Sequence, residues 1–506
     1  MEKAPGSANP AWFEPLRRYV PLAVWCLVLL TLFLIPLKII GYGYVVPDDA
    51  LGYAAKAVSG KPWPEIVVLS DAYQIDPDFG WSLLLEKIHG ATGADAEALM
   101  IFSFVSLFLL VSLAAIVWLD YPEAWLVALI FAAVTVMLHA RFSSGRPFLI
   151  TMAALLSVLL LWRRSGPAPP KPWMAAVMTA VVAVSVFFHS AWYLWALPVA
   201  AFLLAGQFRW GLMLAGCTMA GAIAGGTLTG HPLAYLEQTV RLAWLAMSAH
   251  NTGPTLAAEL QPKCDLACLY ILAGLLLLRR LAGLRTLPLL RDPVFWLFAV
   301  SWTLSLKVGR FGGDWGWPAL MVLIACDLQL VLASRVGADT LRRLALAGSL
   351  ALVTFLCLTS DAGSRWTGDL TRQYLTEAEH PELAGWMPEK GGILYSADTK
   401  IFYQTFYKNP RGDWQYLPGF EPAWMPQTDL SVYRKILWSF GNAKAYEPWV
   451  KKLRPEDRLV IRGSRGSRPA IPELEWKYGI SGTWIGRVPG PHPESTAPTA
   501  PAAAGK

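Results

Sequence analysis

Charge is scarce in this chain: of 506 residues, 16% are Asp, Glu, Lys or Arg, while 55% are apolar. Soluble domains carry about a quarter charged residues, so the composition excludes a free-standing soluble enzyme. Cysteine is scarce too, and six in 506 residues exclude a disulfide-built scaffold. Cys26, Cys217, Cys326 and Cys357 fall inside apolar runs, where a thiol acts as a small hydrophobe. Cys264 and Cys268, in K-C-D-L-A-C, sit four apart at the end of a predicted helix, which is poor geometry for a disulfide between them. No G-x-x-x-x-G-K-[ST] run and no strand-borne G-x-G-x-x-G offers a soluble nucleotide site, and no H-x-x-x-H or H-x-x-E-H pair offers a dedicated zinc site. Nucleic-acid motifs and internal repeats are also missing.

What the chain has in abundance is long apolar runs. A hydrocarbon core of about 30 Å needs roughly 20 apolar residues per helix, and scanning on that basis gives eleven spans near 19–41, 97–118, 123–139, 148–162, 173–189, 191–206, 208–227, 266–279, 293–307, 318–334 and 342–360. The fold class predicted is mainly α, a polytopic membrane protein. The first run is long and lacks a small-residue cleavage site, so it reads as an anchor.

Loop cations set the orientation. With residues 1–18 on the cytoplasmic side, the inner loops hold Arg17, Arg18, Arg163, Arg164, Lys171, Arg209, Arg279, Arg280, Arg285, Arg291, Arg335, Arg342 and Arg343. The formal charge of +7 is then inner-face anchoring rather than a nucleic-acid footprint. An odd number of spans puts the C-terminus outside. The localisation this implies is a bacterial inner membrane, with the C-terminal part extracytoplasmic.

Three segments face outward: 42–96, 228–265 and 361–506. The first predicts two interfacial helices, Ala50–Ser59 capped by Asp48 or Asp49, and Phe79–Thr92 capped by Asp78. Tyr53, Phe79 and Trp81 suit interface depth. Beyond Ser360 the charge becomes mixed and strand-like alternation appears in G-I-L-Y-S-A (392–397) and R-L-V-I-R (458–462), predicting a small α/β domain over 361–488 with a helix at 430–453, a strand pair in 476–488 and a disordered tail at 489–506. The aromatic stretch 412–426 reads as core before it reads as a sugar platform.

The polar residues of interest cluster on the outer side. P-D-D (47–49) places two neighbouring carboxylates directly after the first span. Unless a cation lies close, such a pair should have one raised pKa, which suits a general base or a cation site; a divalent cation at this pair is the one cofactor the sequence leaves room for. Pro47 fixes the chain before Asp48, which favours Asp48 over Asp49 as the base. H-A-R-F-S-S-G-R-P (139–147) supplies Arg141 and Arg146, and K-V-G-R-F-G-G-D-W-G-W-P (307–318) supplies Lys307, Arg310 and Asp314. Cations on outer loops run against the positive-inside bias, and guanidinium groups among glycines suit a phosphate; the bland alternative is pairing with Asp76, Asp78 or Asp314. His189 and His231 stand at outer helix ends, and Asp327 lies within the tenth span, where a neighbouring helix or Gln329 is the expected partner.

Taken together, P-D-D-A-L-G-Y-A-A-K-A-V-S-G-K-P-W, D-P-D-F-G-W-S-L-L-L-E-K-I-H-G-A-T-G and a many-helix core ending in an outward domain resemble the GT-C superfamily of polytopic glycosyltransferases, in particular its protein-mannosyltransferase-like and aminoarabinose-transferase-like members. Asp76-Pro77-Asp78 stands where many of those relatives show His-Pro-Pro. The resemblance implies inverting transfer of a sugar from a polyprenyl-phosphate-linked donor to a glycan, lipid or protein acceptor. Its catalytic acid would fall on Asp48 or Asp49, with Arg141, Arg146, Lys307 and Arg310 at the donor phosphate. Asp76, Asp78, His189, His231 and Asp314 would then face sugar or acceptor. A lipid-linked glycan transporter and a non-catalytic polysaccharide assembly protein are the alternatives.

Overall fold

The computed structural model describes residues 17–247, 260–284, 288–336, 340–368, 370, 372–462, 467–480 and 482–490. The N-terminal residues before Arg17, part of the second outer segment and the expected tail beyond 490 lie outside them.

Ten of the eleven apolar runs each hold one α-helix, the run 123–139 is split into two, and four further helices are threaded between the runs. In chain order the membrane part is α1 (Val20–Ile40), α2 (Asp49–Ser59), α3 (Trp63–Ile66), α4 (Phe79–Thr92), α5 (Ala96–Ile116), α6 (Glu123–Val134), α7 (Val136–Phe142), α8 (Phe148–Ser165), α9 (Pro172–Phe188), α10 (Ala196–Leu204), α11 (Phe208–Thr227), α12 (Pro232–Met247), α13 (Leu266–Leu281), α14 (Pro293–Ser305), α15 (Trp317–Arg335) and α16 (Thr340–Thr359). Arg17–Ile40, Ala96–Ile116, Phe148–Ser165, Gly312–Arg335 and Thr340–Thr359 are each long and apolar enough to cross a bilayer. This is a multi-pass membrane protein. Several other runs fall short of full spans. The break between α6 and α7 comes at Thr135, whose hydroxyl turns back to the carbonyls of Phe131 and Ala132. α11 and α12 meet at a 109° bend, and α12 was not foreseen from the sequence.

Helix contacts follow the small residues. On α11, Gly221 and Gly225 are spaced as G-x-x-x-G, and a Cβ there would lie 2.9 Å from the Thr179 carbonyl and 2.6 Å from that of Ala183. α9 and α11 therefore pack backbone to backbone, as small-residue stripes permit in lipid.

At the end of the bundle away from the outer loops, the cations assigned to inner loops meet acids. Arg163 pairs with Asp292, Arg343 with Glu123 at 2.7 Å, and Arg279 with Asp327 at 2.5 and 3.1 Å. Asp327 thus has a buried guanidinium from α13 as its partner, while Gln329 accepts from the backbone N–H groups of Asp120 and Tyr121.

The C-terminal unit runs β1 (Ile393–Ser396), α17 (Thr399–Lys408), β2 (Gln415–Leu417), α18 (Gln427–Trp438), α19 (Glu447–Val450), β3 (Arg458–Arg462), β4 (Glu475–Tyr478) and β5 (Thr483–Arg487). Its sheet has the order β2-β1-β3-β5-β4, with β1 parallel to β2 and β3, and β5 antiparallel to β3 and β4. The single helix expected over 430–453 is instead α18, a turn and α19. Phe440 and Gly441 adopt positive φ of 52° and 74°, a left-handed reversal that ends a helix. The aromatic stretch is core: Tyr416 and Leu417 are buried, and the Phe420 ring lies 4.7 Å from that of Trp63.

This unit is pinned to the first outer segment. Val68 donates to the Tyr416 carbonyl at 3.1 Å and Ser70 to that of Trp424 at 2.8 Å. As a result α2 is covered by α17 of this unit rather than laid on lipid. Most of α2 is buried, and Trp81, expected at the interface, is 2% exposed and stacks on Phe102.

Candidate active site

Asp48 occupies the N-cap of α2, accepting the Asp49 N–H at 2.8 Å. Both oxygens of Asp48 also meet Arg146, one through Nε at 3.0 Å and the other through Nη2. The same Nε lies 3.2 Å from Asp49 Oδ2. The counter-charge that two adjacent carboxylates require is therefore supplied by the Arg146 guanidinium. Among the described residues no group of three or more His, Cys, Asp or Glu side chains is placed to hold a metal ion. Gly145 presents Arg146: its φ is +61° and a Cβ would come within 3.3 Å of the Phe104 backbone nitrogen, so the loop lies tight against α5 as only glycine allows.

The second outer-loop cation meets the third. Arg141 reaches Asp314 at 2.7 and 2.9 Å, and Arg310 Nε reaches the same carboxylate at 2.8 Å. Asp314 lies in a π-helical stretch, Gly312–Gly316, that opens into α15; such insertions occur often at functional sites. Arg310 Nη2 lies 3.4 Å from His189 Nε2, and His189 Nδ1 lies 2.9 Å from the Thr151 hydroxyl. The expected pairing of outer arginines with acids is realised at Asp314 and not at Asp76 or Asp78.

Asp76 and Asp78 form a third cluster. Asp76 accepts from Trp63 Nε1 at 3.0 Å, Ser82 Oγ at 2.6 Å and the Asp78 N–H at 3.0 Å, with the buried Lys56 ammonium 3.7 Å away. Asp78 holds the N-cap position of α4, but its side chain does not cap. It accepts instead from the Tyr53 hydroxyl. Burial first, and then the charge of Asp76, push the Asp78 carboxyl up to about 8, while the Tyr53 hydrogen bond and Arg310 oppose that rise. Burial and the same acids push the Tyr53 phenol well up. Asp49 adds to both effects, so the acid pair and the Asp76–Asp78 cluster share one electrostatic site.

Two expected members stand apart. Lys307 is exposed at the end of α14, and His231 is exposed at the corner between α11 and α12; no contact described here joins either to the cluster. One member was not foreseen. Tyr403, on α17 of the C-terminal unit, donates its hydroxyl hydrogen to Asp49, and burial followed by the Asp49 charge holds its phenol well above the ordinary value. No helix was expected over the α17 residues, whose buried face carries Phe402, Tyr403 and Phe406, and nothing in the sequence says that this face lands on α2.

Neither a family model nor any curated protein matches the sequence. Among solved structures, the chain is similar to the arabinofuranosyltransferase AftD from Mycobacteria, with a TM-score of 0.50 and 16% identity, over 94% of this chain and 40% of that one. It is also similar to the archaeal oligosaccharyltransferase AglB from Archaeoglobus fulgidus, solved with an inhibitory peptide and a dolichol-phosphate, with a TM-score of 0.48 and 14% identity, over 89% of this chain and 70% of that one. The chain spans less than half the length of AftD. With nearly the whole chain aligned on AftD, its fold is similar to that of AftD.

Proposed function

We propose that this protein is a membrane glycosyltransferase that moves a sugar, with inversion, from a polyprenyl-phosphate-linked donor to a glycan, lipid or protein acceptor on the outer face of a bacterial inner membrane. The observation that carries the reading is the unequal use of the two neighbouring acids. Asp48 spends its carboxylate on the Arg146 fork and the α2 cap. Asp49 accepts from the Tyr403 hydroxyl through Oδ1, lies 3.2 Å from Arg146 Nε through Oδ2, and faces the Tyr53–Asp78 cluster electrostatically. The sequence favoured Asp48 as base; this geometry supports Asp49, with Asp48 and Arg146 positioning it.

The charge is also divided. One guanidinium against two carboxylates leaves the Asp48–Asp49–Arg146 group at −1, and two guanidiniums against one carboxylate leave the Arg141–Arg310–Asp314 group at +1. The negative group suits an acceptor hydroxyl that must lose a proton, and the positive group suits a leaving phosphate. In the step, the acceptor oxygen bonds to the anomeric carbon as its proton passes to Asp49. The bond from that carbon to the phosphate oxygen breaks, and polyprenyl phosphate departs with the electron pair. Arg310, with about a third of its side chain exposed, is the group best placed to meet that phosphate.

Reconstituted protein given a panel of polyprenyl-phosphate sugars should release polyprenyl phosphate from at least one. Transbilayer movement of lipid-linked glycan, without release from any donor, would favour the transporter reading instead.

A further inference from the structure

α12 turns two chemically different faces to its surroundings. Tyr235, Gln238, Thr239 and Leu242 are buried, and this face grips the turn that carries Asp76 and Asp78. Gln238 Nε2 donates to the Ile75 carbonyl at 2.6 Å, and its Oε1 accepts from the Gln74 and Ile75 N–H groups at 2.7 and 2.8 Å. The Tyr235 hydroxyl lies 2.8 Å from the Pro77 carbonyl. On the opposite face Leu233, Val240 and Trp244 are 80%, 41% and 74% exposed. Their spacing puts them in one row along the helix. The exposed Glu237 and Arg241 flank the row on one side, and the half-buried Leu236 flanks it on the other.

The place of this row in the fold points to lipid. Exposed Ile223 and Leu228 lead up to the 109° bend between α11 and α12, and Leu233 begins the row just beyond it. A helix turned nearly at right angles to an apolar neighbour, with an apolar row, a charged flank and a Trp, has the pattern of one lying in the bilayer interface. What borders the row narrows the occupant. Trp192 Nε1 donates to the Leu236 carbonyl at 3.1 Å, so the turn Trp192–Trp195 adjoins the uncharged flank. That turn closely follows His189, whose Nε2 lies 3.4 Å from Arg310 Nη2. The row therefore runs beside the arginine assigned above to the leaving phosphate. It is one side chain wide and roughly 16 Å long from Leu233 to Trp244, a shape that suits a single extended chain better than the paired acyl chains of a phospholipid.

We propose that the exposed row of α12 seats the polyprenyl chain of the donor while Arg310 takes its phosphate. Naming the occupant as a sugar donor rests on the glycosyltransferase reading above; the binding of a polyprenyl phosphate at this row does not. The opposite face of the same helix holds the turn of Asp76 and Asp78, so the chain and the acid cluster share one support.

The test is photo-crosslinking of the full-length protein in phospholipid nanodiscs that contain undecaprenyl phosphate. A benzophenone amino acid replaces Val240, Trp244 or, as a control on the exposed side of α11, Ile223, and the adducts are identified by mass. The polyprenyl phosphate share of the adducts at positions 240 and 244 should exceed that at 223 about tenfold. Arg310→Gln should lower that share severalfold, and undecaprenol, which lacks the phosphate, should not reach it in the otherwise unaltered protein. Phospholipid as the sole adduct at 240 and 244, an equal polyprenyl share at 223, or an adduct between two copies of this chain would overturn the proposal. So would enrichment that survives Arg310→Gln or the exchange of polyprenyl phosphate for undecaprenol. Adducts form without turnover, so their absence would leave the transferase reading standing, and failed transfer would leave the adducts standing.

Discussion

Tyr403 donates a hydrogen bond to Asp49 across 354 residues of sequence, so the C-terminal unit completes a site that begins at the mouth of the first membrane helix. A hydrogen bond to a charged group contributes about 1.5–3 kcal/mol, and each ~1.4 kcal/mol is tenfold. Tyr403→Phe should therefore lower kcat/KM for transfer roughly tenfold to a hundredfold while the protein still folds, since the ring keeps its packing against Gly52. Unchanged kinetics in this variant would mean that the contact is structural only.

Asp78 gives the account a pH signature. Its folded-state pKa is raised to about 8 from an ordinary 3.8. The folded protein then binds this proton more tightly than the unfolded chain does, and its stability falls as pH rises between those values. Asp78→Asn, which mimics the protonated acid, should match the wild type near pH 4 and become progressively more heat-stable than it up to about pH 8, as followed by apparent Tm. Parallel Tm curves across that window would remove Asp78 from the set of perturbed groups.

The Arg279–Asp327 pair predicts a stability effect without a catalytic one. Arg279 is 8% exposed, and removing one partner of a buried pair costs about 3–5 kcal/mol because the other charge stays buried. Asp327→Ala should sharply reduce the folded protein recovered from membranes, and the double variant Asp327→Ala, Arg279→Met should recover much of it. Full recovery in Asp327→Ala alone would show that water reaches Arg279.

Cys264 reports the topology directly. It is exposed just before α13, while the other exposed cysteine, Cys26, lies within α1. An impermeant thiol reagent added outside intact cells should label Cys264 and a Cys introduced at the exposed Ser431, and should spare one at the exposed Ala168. Labelling confined to position 168 would invert the orientation.

Much of this was legible in advance because lipid makes the pattern strict: backbone polar groups have no water to fall back on, so the apolar runs became helical, 123–139 with a break at Thr135; outside the runs, Phe79–Thr92 formed at its stated bounds. Strands β1, β3 and the final pair followed from alternation. The arginines at 141, 146 and 310 stood out as well, since in the expected orientation they run against the positive-inside bias. Their partners were not legible, because whether Arg146 reaches Asp48 or Asp78 depends on how loops from different helices meet. Tyr403 was hidden for the same reason: a tyrosine on the apolar face of a soluble helix reads as core until the surface beneath it is known. The break at Phe440–Gly441 was missed because S-F-G-N can be carried through by a helical pattern on either side.

The division of labour between Asp48 and Asp49 is the central claim, and single-turnover transfer tests it most directly. Asp49→Asn protein, preloaded with a polyprenyl-phosphate sugar that the wild type turns over, should bind the donor as the wild type does. It should transfer the sugar about 10²–10⁴-fold more slowly, the contribution of a positioned general base; Asp48→Asn, which keeps a competent cap, should lose less. Wild-type transfer rates in Asp49→Asn would contradict the mechanism.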